Sequence, residues 1–151
     1  MGRFDHLVEK YKDKTLKELK DLHQVLEDKW EADKGRIEEI EPPLKWEDYR
    51  KLVFDTDLYW EMMFTTYMIQ HKIPKSECNA YDDVVKDGLY PDDMYTIGDF
   101  KEMCKVGAFT SYDGFGEYSD GEKKYDLHAS PLAFVYDLIN PEFTHVVWYN
   151  K

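Results

Sequence analysis

The spacing of apolar residues changes its period along this chain, and that change sets the fold class. Up to about residue 73, apolar side chains recur at helical spacing, most clearly at Leu16, Leu19, Leu22, Leu26 and Trp30. From Thr96 onward, short β-rich runs alternate with turn residues, including the pairs Asp113-Gly114 and Asp120-Gly121. Helices followed by closely spaced strands indicate an α+β fold, with N-terminal helices packed on a small, mainly antiparallel C-terminal sheet.

The helical part, residues 1–73, is predicted to contain two long helices after a short first one. Thr15 and Glu18 have the spacing of a capping box ahead of the first long helix, and Pro42-Pro43 stops it. The second is expected as one continuous helix over residues 46–70. Residues 58–69 are apolar on nearly every side of that helix, so we expect the sheet to cover it.

The mixed part, residues 96–151, is predicted to be a β-meander with short helices. Thr96 caps a helix that ends at Gly107, and Ser130-Pro131 begins another over 132–139. Strands are expected at 108–110, 115–118, 124–128 and 143–149, with the Asp-Gly pairs turning the chain because glycine accepts positive φ. Residues 74–91 are acidic and loop-like, with a short helix at 79–86. We expect residues 1–151 to form a single domain.

The charge of the chain favours a basic partner. Its formal net charge is −12 and its pI is about 4.8. Residues 51–151 alone hold 9 Lys and Arg against 18 Asp and Glu. Direct binding to nucleic acid needs a basic footprint and is disfavoured, whereas an acidic face attracts a basic protein surface. The alternative is that the acidity serves solubility alone.

Tyrosines beside these acids would supply the anchors of such an interface, since aromatic side chains dominate binding energy. The predicted partner-binding residues are acidic or aromatic and lie in the second half: Asp82, Asp83, Tyr90, Asp92, Asp93, Tyr95, Asp113, Glu117 and Asp120. The sequence therefore predicts a non-enzymatic binding protein.

No cofactor, metal or membrane is expected. Gly114-Phe115-Gly116 lacks the third glycine of a dinucleotide fingerprint, and Cys78 and Cys104 lack zinc-type spacing. Cys104 is predicted to be a packing residue. The first 30 residues lack the apolar segment of a signal peptide, and no apolar run is long enough to span a bilayer. We therefore expect free thiols in a reducing cytoplasm.

An enzymatic alternative depends on three residues near the C-terminus. Asp126 and His128 lie two apart on one predicted strand, and His145 lies on the last. Together they would serve as acid and base in a small hydrolase. His128-Ala129-Ser130 also matches one half of the paired His-x-Ser/Thr elements of the two-histidine phosphoesterases, but a second element is missing.

The C-terminal third of the chain resembles small phage and prophage proteins of Gram-positive bacteria. The resemblance lies in four segments: 97–100 (IGDF), 107–110 (GAFT), 112–116 (YDGFG) and 143–150 (FTHVVWYN). That family supplies no catalytic residues. The resemblance implies a mobile element acting inside a bacterial cell, where small acidic proteins include anti-CRISPR proteins and DNA mimics that inhibit nucleic-acid-handling defence complexes. A phage structural or assembly protein is the remaining alternative.

Overall fold

The computed structural model describes residues 4–82, 94–108 and 116–148. Its contacts divide the chain into two compact units, Met1–Ile69 and Gln70–Lys151. The boundary lies within a helix and close to residue 73, where the sequence predicts the change from helical to mixed structure. Each unit has its own set of packed aromatic side chains. The α+β class predicted from the sequence is confirmed, with helices first and an antiparallel sheet after them.

The first unit is built from helices. They are α1 (Asp5–Tyr11), α2 (Leu16–Glu38), α3 (Trp46–Val53) and the greater part of α4 (Asp57–Lys72). The predicted capping box begins α2: the Thr15 hydroxyl accepts from the Glu18 N–H, and the Glu18 carboxylate accepts from the Thr15 N–H, both at 3.1 Å. Leu19 and Leu26 form the buried stripe of α2.

The prediction of one helix over 46–70 is wrong, because the chain breaks between Val53 and Asp57. The N–H groups of Phe54 and Asp55 both donate to the Arg50 carbonyl and close α3. The Thr56 hydroxyl then accepts from the Tyr59 N–H at 3.1 Å and caps the start of α4. A threonine ahead of an acidic first turn is an N-cap signal, and here it outweighs the continuous apolar periodicity.

The second unit contains a five-stranded sheet in the described part of the chain. The strands are β1 (Ala80–Asp82), β2 (Met94–Thr96), β3 (Gly116–Ser119), β4 (Lys124–Tyr125) and β5 (His145–Trp148). Their order is β1-β4-β3-β5-β2, and every neighbouring pair is antiparallel. In the described part of this unit, two short α-helices accompany the sheet, α5 (Ile97–Lys105) and α6 (Pro131–Val135), and a 3₁₀ helix spans Lys75–Glu77.

In the second unit, the sequence predicts a helix cap and a turn correctly but one helix wrongly. Thr96 caps α5 by accepting from the Asp99 N–H at 3.2 Å, as predicted. Gly121 has a φ of 96°, as the second Asp-Gly turn requires, and the first turn lies outside the described residues. The helix expected at 79–86 is contradicted at its start, because residues 80–82 form β1. Main-chain pairing with β4, which local propensity does not report, determines that strand.

A buried hydrogen bond lies at the centre of the second unit. The Tyr118 hydroxyl in β3 is bonded to Nδ1 of His71, and both side chains are fully buried. Phe134 contacts both rings, at 6.1 Å from His71 and 6.0 Å from Tyr118 between centroids. Burial lowers the pKa of His71 to about 3 and raises that of Tyr118, so both groups are neutral at physiological pH.

Replacing Gly116 should destabilise the sheet. A Cβ at this position in β3 would lie 2.5 Å from the Val147 carbonyl oxygen of β5, closer than van der Waals contact permits. We expect Gly116→Ala to lower the free energy of unfolding in urea by about 1–3 kcal/mol. The control is Gly98→Ala in α5, where a Cβ meets nothing within 4 Å and should be neutral or stabilising by up to about 1 kcal/mol. Equal stability of the two variants would contradict the close strand approach.

The buried histidine should make stability depend on pH. The unfolded chain takes up a proton on His71 below its ordinary pKa of 6.5, whereas the folded chain does so only near 3. The free energy of unfolding should therefore fall by up to about 1.4 kcal/mol per pH unit as the pH decreases between these values. Between about pH 7 and 5, the wild type should lose about 2 kcal/mol more than His71→Gln, which cannot titrate. Parallel pH profiles for the two proteins would show that His71 is not held neutral.

Candidate functional site

The structure describes four of the nine predicted partner-binding residues. Asp82 ends β1, Tyr95 lies in β2, Glu117 lies in β3, and Asp120 lies in the turn that follows β3. The other five lie outside the described residues: Asp83, Tyr90, Asp92, Asp93 and Asp113. The proposed acidic surface around them therefore stays a prediction.

Two of the described residues already have partners within the second unit. The Glu117 carboxylate accepts from Lys124 Nζ at 3.1 Å, and each of these side chains is only 12% exposed. Tyr95 is half-buried, and its ring lies 5.7 Å from that of Phe100 between centroids. These contacts stabilise the second unit, and they leave little of either side chain for a partner protein.

Asp120 organises the turn between β3 and β4. Its Oδ1 accepts from the Glu122 and Lys123 N–H groups at 2.8 and 2.9 Å. Its Oδ2 accepts from Tyr125 Oη at 3.0 Å and pairs with Lys75 Nζ at 3.1 Å. Burial acts to raise the pKa of Asp120, but these four donors outweigh it and lower the pKa to about 2. The carboxylate therefore stabilises the fold above its ordinary pKa of 3.8, and this contribution is lost as the pH falls toward 2.

The sheet register separates the residues of the enzymatic alternative. His145 pairs with Ser119 at one end of β3. At the other end, Gly116 accepts from the N–H of Ala129, which follows His128. Three residue steps along a strand span roughly 10 Å, so the two histidines approach β3 at opposite ends. Within residues 4–82, 94–108 and 116–148, no three His, Cys, Asp or Glu side chains lie together as a metal site requires.

The two cysteines are free thiols, and Cys104 is buried in the core of the second unit. Burial raises its pKa to about 12, so the thiol is a packing group, as predicted from the sequence. Among the helices of the described ranges, none combines the length and the hydropathy needed to cross a bilayer.

The first unit contains a continuous series of aromatic contacts. Neighbouring rings lie 5.3–6.2 Å apart between centroids, in the order Trp46, Tyr49, Phe54, Tyr59, Trp60, Phe4 and Phe64. Phe4 and Phe64 are buried, whereas Trp46 at the other end is 64% exposed. The series therefore runs from the interior to an aromatic side chain that solvent reaches from most directions.

Trp46 lies in an acidic setting, which we call the acidic corner and define as residues 38–48. This segment holds five acids and one lysine, and Ile40 is also exposed. Tyr49 Oη donates to Glu38 Oε1 at 2.7 Å and so holds the end of α2 against α3. This bond and one from Lys34 lower the pKa of Glu38. Glu39 and Glu41 form no ion pair with any described residue, although they lie at or just beyond the carboxyl end of α2, where the helix dipole disfavours anions.

The sequence analysis missed this corner because it placed Trp46 at the start of one continuous helix over residues 46–70. The signal that could have revealed it is the Pro42-Pro43 pair, which follows Glu41 and precedes Trp46 by three residues. Proline ends a helix and exposes the loop that follows, so an aromatic residue just beyond such a loop need not be part of the core.

Comparisons with known proteins add no relative: no family model matches the chain, and neither a curated protein nor a solved structure is detectably similar to it.

Removing the charge of Asp120 should weaken folding. Asp120→Asn keeps an oxygen for the turn N–H groups but loses the ion pair with Lys75 and the ionised acceptor for Tyr125. We expect the free energy of unfolding at neutral pH to fall by about 1–2 kcal/mol. Asp126→Asn is the control, since that side chain is exposed directly after β4 and its loss should change stability by less than about 0.5 kcal/mol. Equal changes in the free energy of unfolding for the two variants would contradict the structural role of Asp120.

Proposed function

We propose that this chain is a non-enzymatic binding protein whose acidic corner engages a basic surface of a partner protein, with Trp46 as the anchor. The observation that carries the proposal is the exposure of Trp46 in a segment where Glu38 pairs with Lys34 but Glu39 and Glu41 form no ion pair with any described residue. Tryptophan is the residue type most enriched among those that dominate interface energies. The exposed indole of Trp46 contributes no burial energy to the free protein. A partner with an apolar pocket would bury it and gain that free energy on binding.

The charges around Trp46 favour a basic partner over a neutral one. Glu39 and Glu41 gain nothing from the fold in their position at the end of α2, and a basic partner surface would neutralise them. Such charges raise the association rate and determine the orientation of docking, whereas the buried aromatic anchor slows dissociation. The two kinds of residue therefore have separate and measurable effects.

The resemblance of the C-terminal third to phage proteins suggests the kind of partner. A nucleic-acid-binding protein presents a basic channel, and an acidic protein can occupy it in place of the nucleic acid. We therefore extend the proposal to a phage-encoded inhibitor of a bacterial nucleic-acid-handling defence complex. This extension depends on the sequence resemblance and on the net charge of −12.

Truncating Trp46 should abolish partner capture without unfolding the protein. We expect Trp46→Ala to weaken binding by 2 kcal/mol or more, about 30-fold, because an interface anchor is lost. Immobilised wild type and variant would be compared for the proteins that they retain from bacterial lysate, and the affinity of the retained protein would then be measured directly. Val25→Ala is the control, since Val25 is an apolar residue of α2 that is also exposed, at 52%, and lies outside the corner.

The same interaction should depend on salt and on the unpaired acids. Glu39→Lys with Glu41→Lys should reduce the association rate, as should raising salt from about 50 to 500 mM, where the Debye length shrinks about threefold. The proposal fails if Trp46→Ala retains the same proteins with the same affinity as Val25→Ala. A retained protein that is neutral or acidic, and whose association rate is insensitive to salt, would equally contradict it.

A further inference from the structure

A small pocket lies in the first unit, between the start of α1 and the first turns of α4. Its volume is about 190 Å³, and it is lined by Phe4, His6, Leu7, Asp57, Trp60 and Glu61. Pockets for drug-sized ligands measure roughly 300–1,000 Å³, so this one has the size for a single side chain or a small ion. Its lining combines an aromatic wall with two carboxylates and the imidazole of His6.

The aromatic wall is fixed by its neighbours. The rings of Phe4 and Trp60 lie 6.0 Å apart between centroids, and Phe4 in turn stacks on Phe64 at 5.9 Å. Phe4 is buried and Trp60 half-buried, so the indole is the ring that a ligand in the pocket would reach. An indole face attracts cations through its quadrupole, and more strongly than the ring of tyrosine or phenylalanine does.

Glu61 is held in place through one of its two oxygens. Its Oε1 accepts from Lys10 Nζ at 2.7 Å and from Tyr11 Oη at 2.5 Å, and the side chain is 20% exposed. Burial acts to raise the pKa of Glu61, but these two donors outweigh it and lower the pKa, so the group is ionised at neutral pH. No donor among residues 4–82, 94–108 and 116–148 is bonded to Oε2.

Asp57 places a second carboxylate beside the first. It lies four residues before Glu61 in α4, so both project from the same face of the helix. No hydrogen bond or ion pair to the Asp57 side chain occurs within the described ranges. Like charges at this spacing repel each other, and a cation between them would turn that repulsion into two attractive contacts.

We propose that this pocket receives an arginine side chain of the partner protein, with its guanidinium group between Asp57 and Glu61 and against Trp60. Arginine fits better than lysine because its planar group stacks on an indole and donates from several N–H groups to two carboxylates at once. This inference rests on the proposed function, since it assigns one contact of the basic partner surface. It names a second anchor, distinct from Trp46.

The pocket can be tested without the partner, with N-acetyl-arginine amide as the probe. The probe would be titrated into the full chain, and the indole N–H resonance of Trp60, assigned with Trp60→Phe, would be followed by NMR. We expect a saturable shift with a Kd in the range of about 1–10 mM, corresponding to a single side chain without a scaffold. N-acetyl-citrulline amide has nearly the same shape without the charge and should bind at least tenfold more weakly. The proposal is overturned if the two probes bind equally, or if the arginine probe causes no shift at about 100 mM.

Variants decide which carboxylates hold the probe. Asp57→Asn should weaken it at least fivefold, and Asp55→Asn, a neighbouring exposed acid outside the lining, should leave it unchanged. Glu61→Gln should also weaken it, but that change disturbs Lys10 and Tyr11 as well. Tyr11→Phe removes one of the two orienting bonds and keeps the carboxylate, so it should retain most of the binding. Equal probe affinity in Asp57→Asn and Asp55→Asn would contradict the proposal. This comparison is decisive even if the Glu61→Gln variant does not fold.

The effect of the same variants on the complex with the partner protein distinguishes this inference from the proposed function. If Asp57→Asn weakens the complex that Trp46 anchors, the pocket holds a partner arginine as proposed. If Trp46→Ala abolishes that complex and Asp57→Asn leaves it unchanged, the proposed function stands and the arginine inference falls. A probe that binds the pocket with no effect of Asp57→Asn on the complex would mark a site for free organic cations, and this too overturns the inference.

Discussion

The hydrogen bond between Tyr118 and His71 constrains the second unit more than any other single contact. Tyr118 lies in the middle of the sheet, opposite Tyr125 in β4 and Val146 in β5. Moving β3 by one residue would turn its hydroxyl to the other face and leave a buried imidazole without its partner. An apolar side chain could fill the same space, but it would not discriminate so strongly between registers. This polar pair therefore specifies the alignment on which the positions of β4, β5 and their turn depend.

The first unit is organised differently, around a series of aromatic rings in contact. Its aromatic series begins at buried Phe64, passes Trp60 in the pocket lining, and ends at exposed Trp46. Both proposed anchor sites thus lie on one packed array. Groups held by such packing lose little conformational freedom when a partner binds, so more of their contact energy appears as affinity. The rings that stabilise the helices therefore also hold the two anchor side chains in place before a partner binds.

Local chemistry predicted much of this fold, and the failures have a common origin. The Thr15–Glu18 box, the Thr96 cap and the Gly121 turn depend on neighbouring residues, and all are present. The strand at 80–82 depends on pairing with β4, a partner more than 40 residues away along the chain. The exposure of Trp46 depends on where α3 ends and on what α2 leaves uncovered. Apolar periodicity reports which residues can be buried, whereas tertiary contacts decide which of them are.

The acids of this chain show why net charge alone does not locate a binding surface. Asp120 and Glu117 belong to the half that the sequence analysis favoured for partner binding, yet each is held by a lysine within the fold. The sequence analysis did not single out Glu39, Glu41 or Asp57. In the described structure, none of the three forms an ion pair. An acid that is already paired must give up its lysine before it can bind a partner, whereas an unpaired acid gains a contact without losing one. An unpaired acid close to an exposed or pocket-lining indole is therefore the better guide to a binding surface. Among the described residues, Glu39 and Glu41 lie in the same segment as Trp46, and Asp57 lines the same pocket as Trp60.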